Sequence, residues 1–256
     1  MLKKLYTLST IWAIACFSAQ ESTTLQGLSA GQNELLVSDF GQYYLYNRNN
    51  KNVAAFDAEG QKKNDFFLYQ EAQLLNQISQ LNLYFYLPQS QELLILDQNL
   101  NKMQDPIPLQ EHAAWVTKIF VEDGQNLSLL DAQTNELVQL DYRQGRILKK
   151  SIWPLANLDQ CLDLAKINQQ YYFLMPTELL IYDINAKLLS KHKHLGAQKI
   201  IQQGQNIYLL ADQKIFQLKN NKLELLLEQK QAESFAFNFQ KIFWLKNNLI
   251  YSKTNP

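Results

Sequence analysis

A hairpin of two apolar strands, closing most often on aspartate, recurs along this chain at intervals near forty residues. The clearest copy is residues 127–141, Leu-Ser-Leu-Leu-Asp-Ala-Gln-Thr-Asn-Glu-Leu-Val-Gln-Leu-Asp. Residues 43–46 return as 53–57, 83–87 as 93–97, and 171–174 as 179–183. Two further copies pair 207–210 with 215–218 and 242–245 with 249–251. Asp57, Asp97, Asp141 and Asp183 end the first four hairpins at steps of 40, 44 and 42 residues, and Lys219 and Lys253 stand in the equivalent places of the last two. A unit of this length cannot bury its own apolar faces, so it must stack against its neighbours.

A further strand precedes each hairpin. Residues 37–42, Val-Ser-Asp-Phe-Gly-Gln, resemble 121–126, Val-Glu-Asp-Gly-Gln-Asn, with a third form at 202–206, Gln-Gln-Gly-Gln-Asn. Glycine in these turns is expected to supply a positive φ. More polar fourth strands are expected at 61–63, 100–104, 146–150 and 187–191. Six units share about 39 residues each, which matches a compact four-stranded propeller blade. The fold expected is therefore all-β: a six-bladed β-propeller with four antiparallel strands per blade. Seven blades leave about 34 residues each, which is tight. The last hairpin has no room for a fourth strand, so the stretch 23–28 is expected to supply it and close the ring, removing exposed edges. Amphipathic helices at 71–83 and 222–232 are the weaker alternative reading, as is a pair of β-sandwiches.

The terminal aspartates read as turn initiators whose carboxylates accept backbone N–H bonds. Calcium needs several oxygens converging in one loop, and no Asp-x-Asp-x-Asp-Gly run is present.

The N-terminus carries Lys3 and Lys4, an uncharged and mostly apolar run over 5–17, and then Ser18 and Ala19. The run is shorter than the ~20 residues a spanning helix requires. It has the pattern of a secretory signal peptide, expected over 1–19, followed by one propeller domain over 20–256. Ala13-Ile14-Ala15-Cys16 resembles a lipobox, so a lipid anchor through Cys16 is the variant of this expectation. The location that follows is periplasmic, with no transmembrane span in the mature chain.

Composition narrows the partners. The 256 residues hold 24 basic and 24 acidic side chains, and the mature chain becomes slightly acidic once Lys3 and Lys4 leave. A neutral chain has no electrostatic reason to seek nucleic acid. The 30 Gln and 22 Asn alternate with apolar residues and take the place of charges as the polar partner of the pattern.

No sharp catalytic motif is present. Gly-x-Ser-x-Gly, His-Glu-x-x-His, a Walker loop and Gly-x-Gly-x-x-Gly are all missing from the sequence. His192 and His194 share a strand face but lack a third ligand, and are expected at an exposed hairpin tip. His112 is a candidate to line an axial channel, although a packed or hydrogen-bonded ring is the simpler reading. Cys161, among Leu and Asp residues, reads as a small buried hydrophobe. Trp153 is either a core residue or, if exposed, an interface anchor. Arginine is limited to Arg48, Arg143 and Arg146, which argues against phosphate or carboxylate clamps. No catalytic, cofactor-binding or metal-ligating residue is assigned, and no cofactor is expected.

The hairpin 127–141 resembles the generic hairpin of NHL- and YWTD-type propellers without their full motifs. The lysine-rich start ending in Phe17-Ser18-Ala19-Gln20 and the segment 93–101, Leu-Leu-Ile-Leu-Asp-Gln-Asn-Leu-Asn, resemble exported envelope proteins of Bacteroidetes-type bacteria. That resemblance implies a non-enzymatic protein with a protein partner in an outer-membrane or envelope complex. One role it implies is the periplasmic partner, or plug, of the outer-membrane translocon of the type IX secretion system. The expected function is thus a non-catalytic interaction module. The alternative is a propeller enzyme or glycan or small-ligand binder using an axial pocket, which needs polar side chains converging at the channel mouth.

Overall fold

Runs such as Asn82–Leu87 and Glu92–Asp97 are apolar on both faces, so they are stable only when a sheet lies on either side of them. A computed structural model describes residues 21–26, 33–75, 82–155, 157–194, 196–238 and 240–254. The expected export segment 1–19 and Cys16 lie outside these residues.

After β1 (Glu21–Thr24), five meanders follow in chain order. Blade I holds β2 (Asn33–Val37), β3 (Tyr43–Asn47), β4 (Asn52–Phe56) and β5 (Lys62–Phe67). Blade II holds β6 (Gln73–Leu74), β7 (Asn82–Leu87), β8 (Glu92–Asp97) and β9 (Ile107–Pro108). Blade III holds β10 (Val116–Val121), β11 (Asn126–Asp131), β12 (Glu136–Asp141) and β13 (Arg146–Ile152). Blade IV holds β14 (Asp163–Ile167), β15 (Gln170–Leu174), β16 (Glu178–Asp183) and β17 (Leu188–Lys193). Blade V holds β18 (Lys199–Gln203), β19 (Asn206–Ala211), β20 (Lys214–Lys219) and β21 (Lys222–Glu228). Blade VI holds β22 (Ser234–Phe237), β23 (Lys241–Lys246) and β24 (Leu249–Thr254), and β1 completes it antiparallel to β24, with Glu21 opposite Ser252 and Thr24 opposite Leu249. The chain is a six-bladed, four-stranded antiparallel propeller closed by its first strand, as the repeat arithmetic requires.

First strands of neighbouring blades, β22 and β2, β10 and β14, β14 and β18, pack side by side around the axis. The core is a set of layers between successive sheets. Trp153 is the centre of one layer, with ring centroids 5.1 Å from Tyr171, 5.0 Å from Phe173 and 5.4 Å from Tyr182. Each such aromatic pair contributes about 0.5–1.5 kcal/mol beyond its buried area. Fourth strands are mostly solvent-facing, as in β5 and β13. The third and fourth strands share a register shift at Ala55/Phe56, Gln139/Leu140, Ile181/Tyr182 and Ile215/Phe216. A bulge at that place raises the local twist. Outer turns also touch the preceding blade: Asn64 Nδ2 donates to the carbonyl of Asn99 in the outer turn of blade II at 2.9 Å, and Lys149 Nζ to that of Ile184 in the outer turn of blade IV at 3.3 Å.

The repeated aspartates cap these outer turns. Asp57 Oδ1 accepts the N–H of Gln61 at 2.8 Å, Asp97 Oδ1 those of Asn99 and Asn101 at 2.8 Å, and Asp183 Oδ1 those of Asn185 and Lys187 at 2.9 Å. Asparagine does much of the work expected of glycine. Asn220-Asn221 and Asn247-Asn248 both have two successive positive φ values, 48° and 59° and then 51° and 62°, the geometry of a type I′ hairpin turn. Gly41 and Gly204 have the expected positive φ, but Gly124 is not among the positive-φ residues. There Asp123 Oδ1 accepts the N–H groups of Gln125 and Asn126 at 2.7 Å and shapes the turn instead.

Two expectations are corrected, and the weaker helical reading falls away. The fourth strand of blade II is β9, not 100–104, which makes only the bridge Leu96–Lys102. Pro106 lacks an N–H and interrupts the ladder between the two. Residues 222–228 form strand β21, not part of a helix, and the described part of 71–83 holds strands β6 and β7. His192 lies within β17 opposite Leu179, rather than at a hairpin tip.

Candidate functional site

Antiparallel order puts the starts of all innermost strands on one face, together with the connectors between blades. This entry face is concave. A basin of about 1280 Å³ opens between blades I, IV, V and VI, with Asn33, Arg48, Leu162, Lys199, Asp212, Lys214 and Glu233 among its walls. A second hollow of about 360 Å³ shares Glu34, Arg48, Leu162 and Lys199 with it and adds Glu71, Gln73, Lys118 and Asp163. A third, of about 550 Å³, continues toward Trp115 and shares Gln73, Pro88, Lys118 and Leu162 with the second. The three form one continuous mouth around the axis.

The sequence places a polar residue at or near the start of most inner strands, and the closing of the ring brings them together. Glu34 on β2 pairs with Arg48 from the turn after β3. The Arg48 Nε–Glu34 Oε1 distance is 2.6 Å, and Nη2 touches the same oxygen. Lys199 on β18 reaches the other Glu34 oxygen at 3.4 Å, spanning the mouth in front of blade VI. Burial raises the Glu34 carboxyl, but the two cations outweigh it and hold it below the ordinary range.

Asp163 opens β14 and is buried. Its carboxylate accepts the N–H of Leu164 at 2.9 Å and of Ile200, on the next blade, at 2.7 Å. Burial pushes its pKa above the ordinary 3.8 despite those bonds and the nearby Lys199 and Lys118. Lys118, half-buried on β10, makes no ion pair or hydrogen bond among the described residues. Gln91 spans blades II and III: Oε1 accepts the N–H of Val116 at 2.8 Å, and Nε2 donates to the carbonyl of Pro88 at 3.0 Å.

The residues singled out in the sequence fall mostly elsewhere. His112 sits on the β9–β10 connector beside Gly145 and is not among the mouth-lining side chains. His192 is within 3.0 Å of Ser190 Oγ, and His194 Nε2 within 3.0 Å of the Met175 carbonyl. Cys161 lines the third hollow but is 2% exposed; burial pushes its thiol up to about 12, away from the thiolate a nucleophile needs. Trp153 belongs to the core. Among the described residues the exposed tryptophan is Trp115, at 50%. Among the described residues no group of three or more His, Cys, Asp and Glu is arranged to hold a metal, and no helix is long and apolar enough to cross a membrane. Of the mouth residues, Arg48 was weighed in the sequence only as one of three arginines, and Glu34, Lys118, Asp163 and Lys199 were not singled out; the signal of these four is position at or near the start of an inner strand, visible once the register is known.

No protein-family profile and no curated protein sequence matches the chain. Solved structures share its fold. Virginiamycin B lyase from Staphylococcus aureus superposes with a TM-score of 0.61 at 14% identity, over 93% of this chain and 99% of that one. The Neurospora crassa Pan2 WD40 domain gives 0.53 at 12% identity, over 87% of this chain and 74% of that one. PorZ of Porphyromonas gingivalis, described as an essential bacterial surface component of the type-IX secretion system, gives 0.54 at 14% identity, over 92% of this chain and 39% of that one. At these identities the likeness concerns the propeller fold.

Proposed function

We propose that this chain is a non-catalytic propeller of the cell envelope whose entry face binds a protein partner. The observation that carries this reading is how the charges at the mouth are used. Glu34 is engaged by both Arg48 and Lys199 across the ring, and the Asp163 carboxylate is engaged by backbone N–H groups. A general acid or base must instead face a substrate with its proton accessible. What remains on that face is a broad concave surface with a half-exposed tryptophan, the kind of residue that anchors protein interfaces. The sequence start and the fold likeness to PorZ point to an envelope protein-secretion assembly of the type IX kind, with an outer-membrane channel as the partner. The test is affinity capture of the tagged chain from cross-linked native envelopes, read by mass spectrometry. Stoichiometric recovery of one outer-membrane channel supports the reading. Recovery of the chain alone, under conditions that retain known complexes, defeats it.

A second reading is an axial-pocket enzyme. The large basin and the fold likeness to virginiamycin B lyase favour it. Incubation with quinupristin, the compound held by an inactive form of that lyase, followed by mass spectrometry tests it directly: conversion at turnover supports an enzyme, and unchanged substrate removes this activity.

A further inference from the structure

The hollow of about 550 Å³ between blades II, III and IV combines features that no other part of the mouth has together. Trp115 leaves half its surface to solvent, yet its backbone is pinned. Its N–H donates to Asp131 Oδ1 at 3.2 Å, its carbonyl accepts from Ala132 at 3.0 Å, and the preceding Ala114 N–H donates to Asp131 Oδ2 at 2.7 Å. An exposed aromatic on a fixed backbone pays little ordering entropy on binding. Leu162, Pro88 and Pro176 line the same hollow, so it offers apolar surface opposite the indole. Lys118 also lines it and, among the described residues, has neither ion pair nor hydrogen bond. A half-buried ammonium without an ion pair gains from a carboxylate brought by a ligand. Of the carboxylates near it, Asp163 is buried and held by the N–H groups of Leu164 and Ile200, and Asp159 is exposed on the 3-10 turn and screened by water.

We infer that this cleft takes an extended peptide segment of the partner in which an acidic residue neighbours a large apolar one. The apolar side chain packs between Trp115, Leu162 and the two prolines, and the carboxylate meets Lys118. The inference rests on the interaction reading above and names the chemistry that the entry face recognises.

The experiment pans a phage-displayed random peptide library on the full-length chain, then measures binding of the enriched peptides as synthetic copies by the change in Trp115 fluorescence, with Trp115→Phe as the signal control. Trp153 and Trp244 are each 2% exposed and contribute little change. The expected result is enrichment of peptides with Asp or Glu within two positions of an aromatic or leucine. Their affinity should fall at least tenfold in Lys118→Met and equally when the peptide Asp becomes Asn. The Asp-to-Asn peptide is read on the unaltered protein, so it stays informative if the Lys118 variant misfolds. Lack of enrichment, or enrichment indifferent to these changes, overturns the inference. Competition by N-acetyl-aspartate as strong as by the peptide also overturns it, because the cleft then recognises a small acid. Capture of the same envelope partner by Lys118→Met and wild type removes this site while leaving the interaction reading standing; peptide binding without any envelope partner does the reverse.

Discussion

The carboxylate of Asp163 accepts the backbone N–H of Ile200 at 2.7 Å, tying the innermost strand of blade IV to that of blade V. The same device recurs with other chemistry. Ser234 Oγ accepts the N–H of Leu35 at 2.9 Å between blades VI and I, and Gln91 Oε1 that of Val116 between blades II and III. First strands of neighbouring blades do not pair with one another, so side chains supply the acceptors that a ladder would otherwise provide.

Asp163 and Asp131 should give opposite pH signatures. Burial raises Asp163 above 3.8, so its folded form holds its proton more tightly than the unfolded chain does. Its contribution is full below the unfolded pKa and is lost as pH rises through the folded pKa. At Asp131, burial is outweighed by the N–H groups of Ala114, Gln133 and Trp115, and the pKa falls below 3.8. Its contribution is present above the unfolded pKa and lost as pH falls through the folded one. Urea unfolding at pH 3 to 7 should therefore show the stability gap between wild type and Asp163→Asn shrinking as pH rises, and that for Asp131→Asn shrinking as pH falls. Parallel trends in the two variants would contradict the assignment. Asp163→Ala, which leaves buried N–H groups without an acceptor, should cost about 1–3 kcal/mol per group.

Gly60→Ala should damage ring closure. Gly60 has a φ of +82°, and a Cβ there would collide with the carbonyl oxygen of Thr24, in the closing strand β1. Gln26 also donates its N–H to the Gly60 carbonyl at 3.2 Å. A loss of about 2–3 kcal/mol is expected from strain and overpacking together. Gly204→Ala is the control: its φ is +56° with nothing within 4 Å of the added carbon, so about 1–2 kcal/mol for the left-handed backbone is expected. Equal denaturation midpoints for the two variants would show that the contact with β1 is not what matters.

Asn221→Gly should leave the protein as stable or raise it by a few tenths of a kcal/mol, because Asn-Gly is the favoured pair for a type I′ turn. Asn221→Val, with a β-branched residue at a φ of 59°, should cost about 1–2 kcal/mol. Thermal melts of the two variants check both signs; a destabilised glycine variant would mean that the Asn221 side chain is needed.

Much of the architecture was legible because it is local or periodic. Asp57, Asp97 and Asp183 cap their turns through N–H groups two and four residues ahead, a relation confined to a pentapeptide. The closing role of the N-terminal strand followed from counting, since the sixth hairpin had one strand too few. The mouth was not legible. Glu34 and Lys199 stand far apart in the chain and belong to no motif, and Arg48, weighed in the sequence only as a candidate for a ligand clamp, is taken up by an internal ion pair with Glu34. His112 lies beside Gly145 in the outer turn of blade III, a neighbour far from it in sequence.

Two-faced apolar strands, turn chemistry and a forty-residue period thus determined by themselves how many blades form and that an N-terminal strand closes the ring. These depend on neighbours in sequence and on the need to bury two-faced apolar strands. Tertiary structure alone decided which charges face the axis, which of them neutralise one another, and that Trp115 rather than Trp153 reaches solvent. Those outcomes depend on angles between blades, and six sheets set around one axis bring together residues that no spacing along the chain relates.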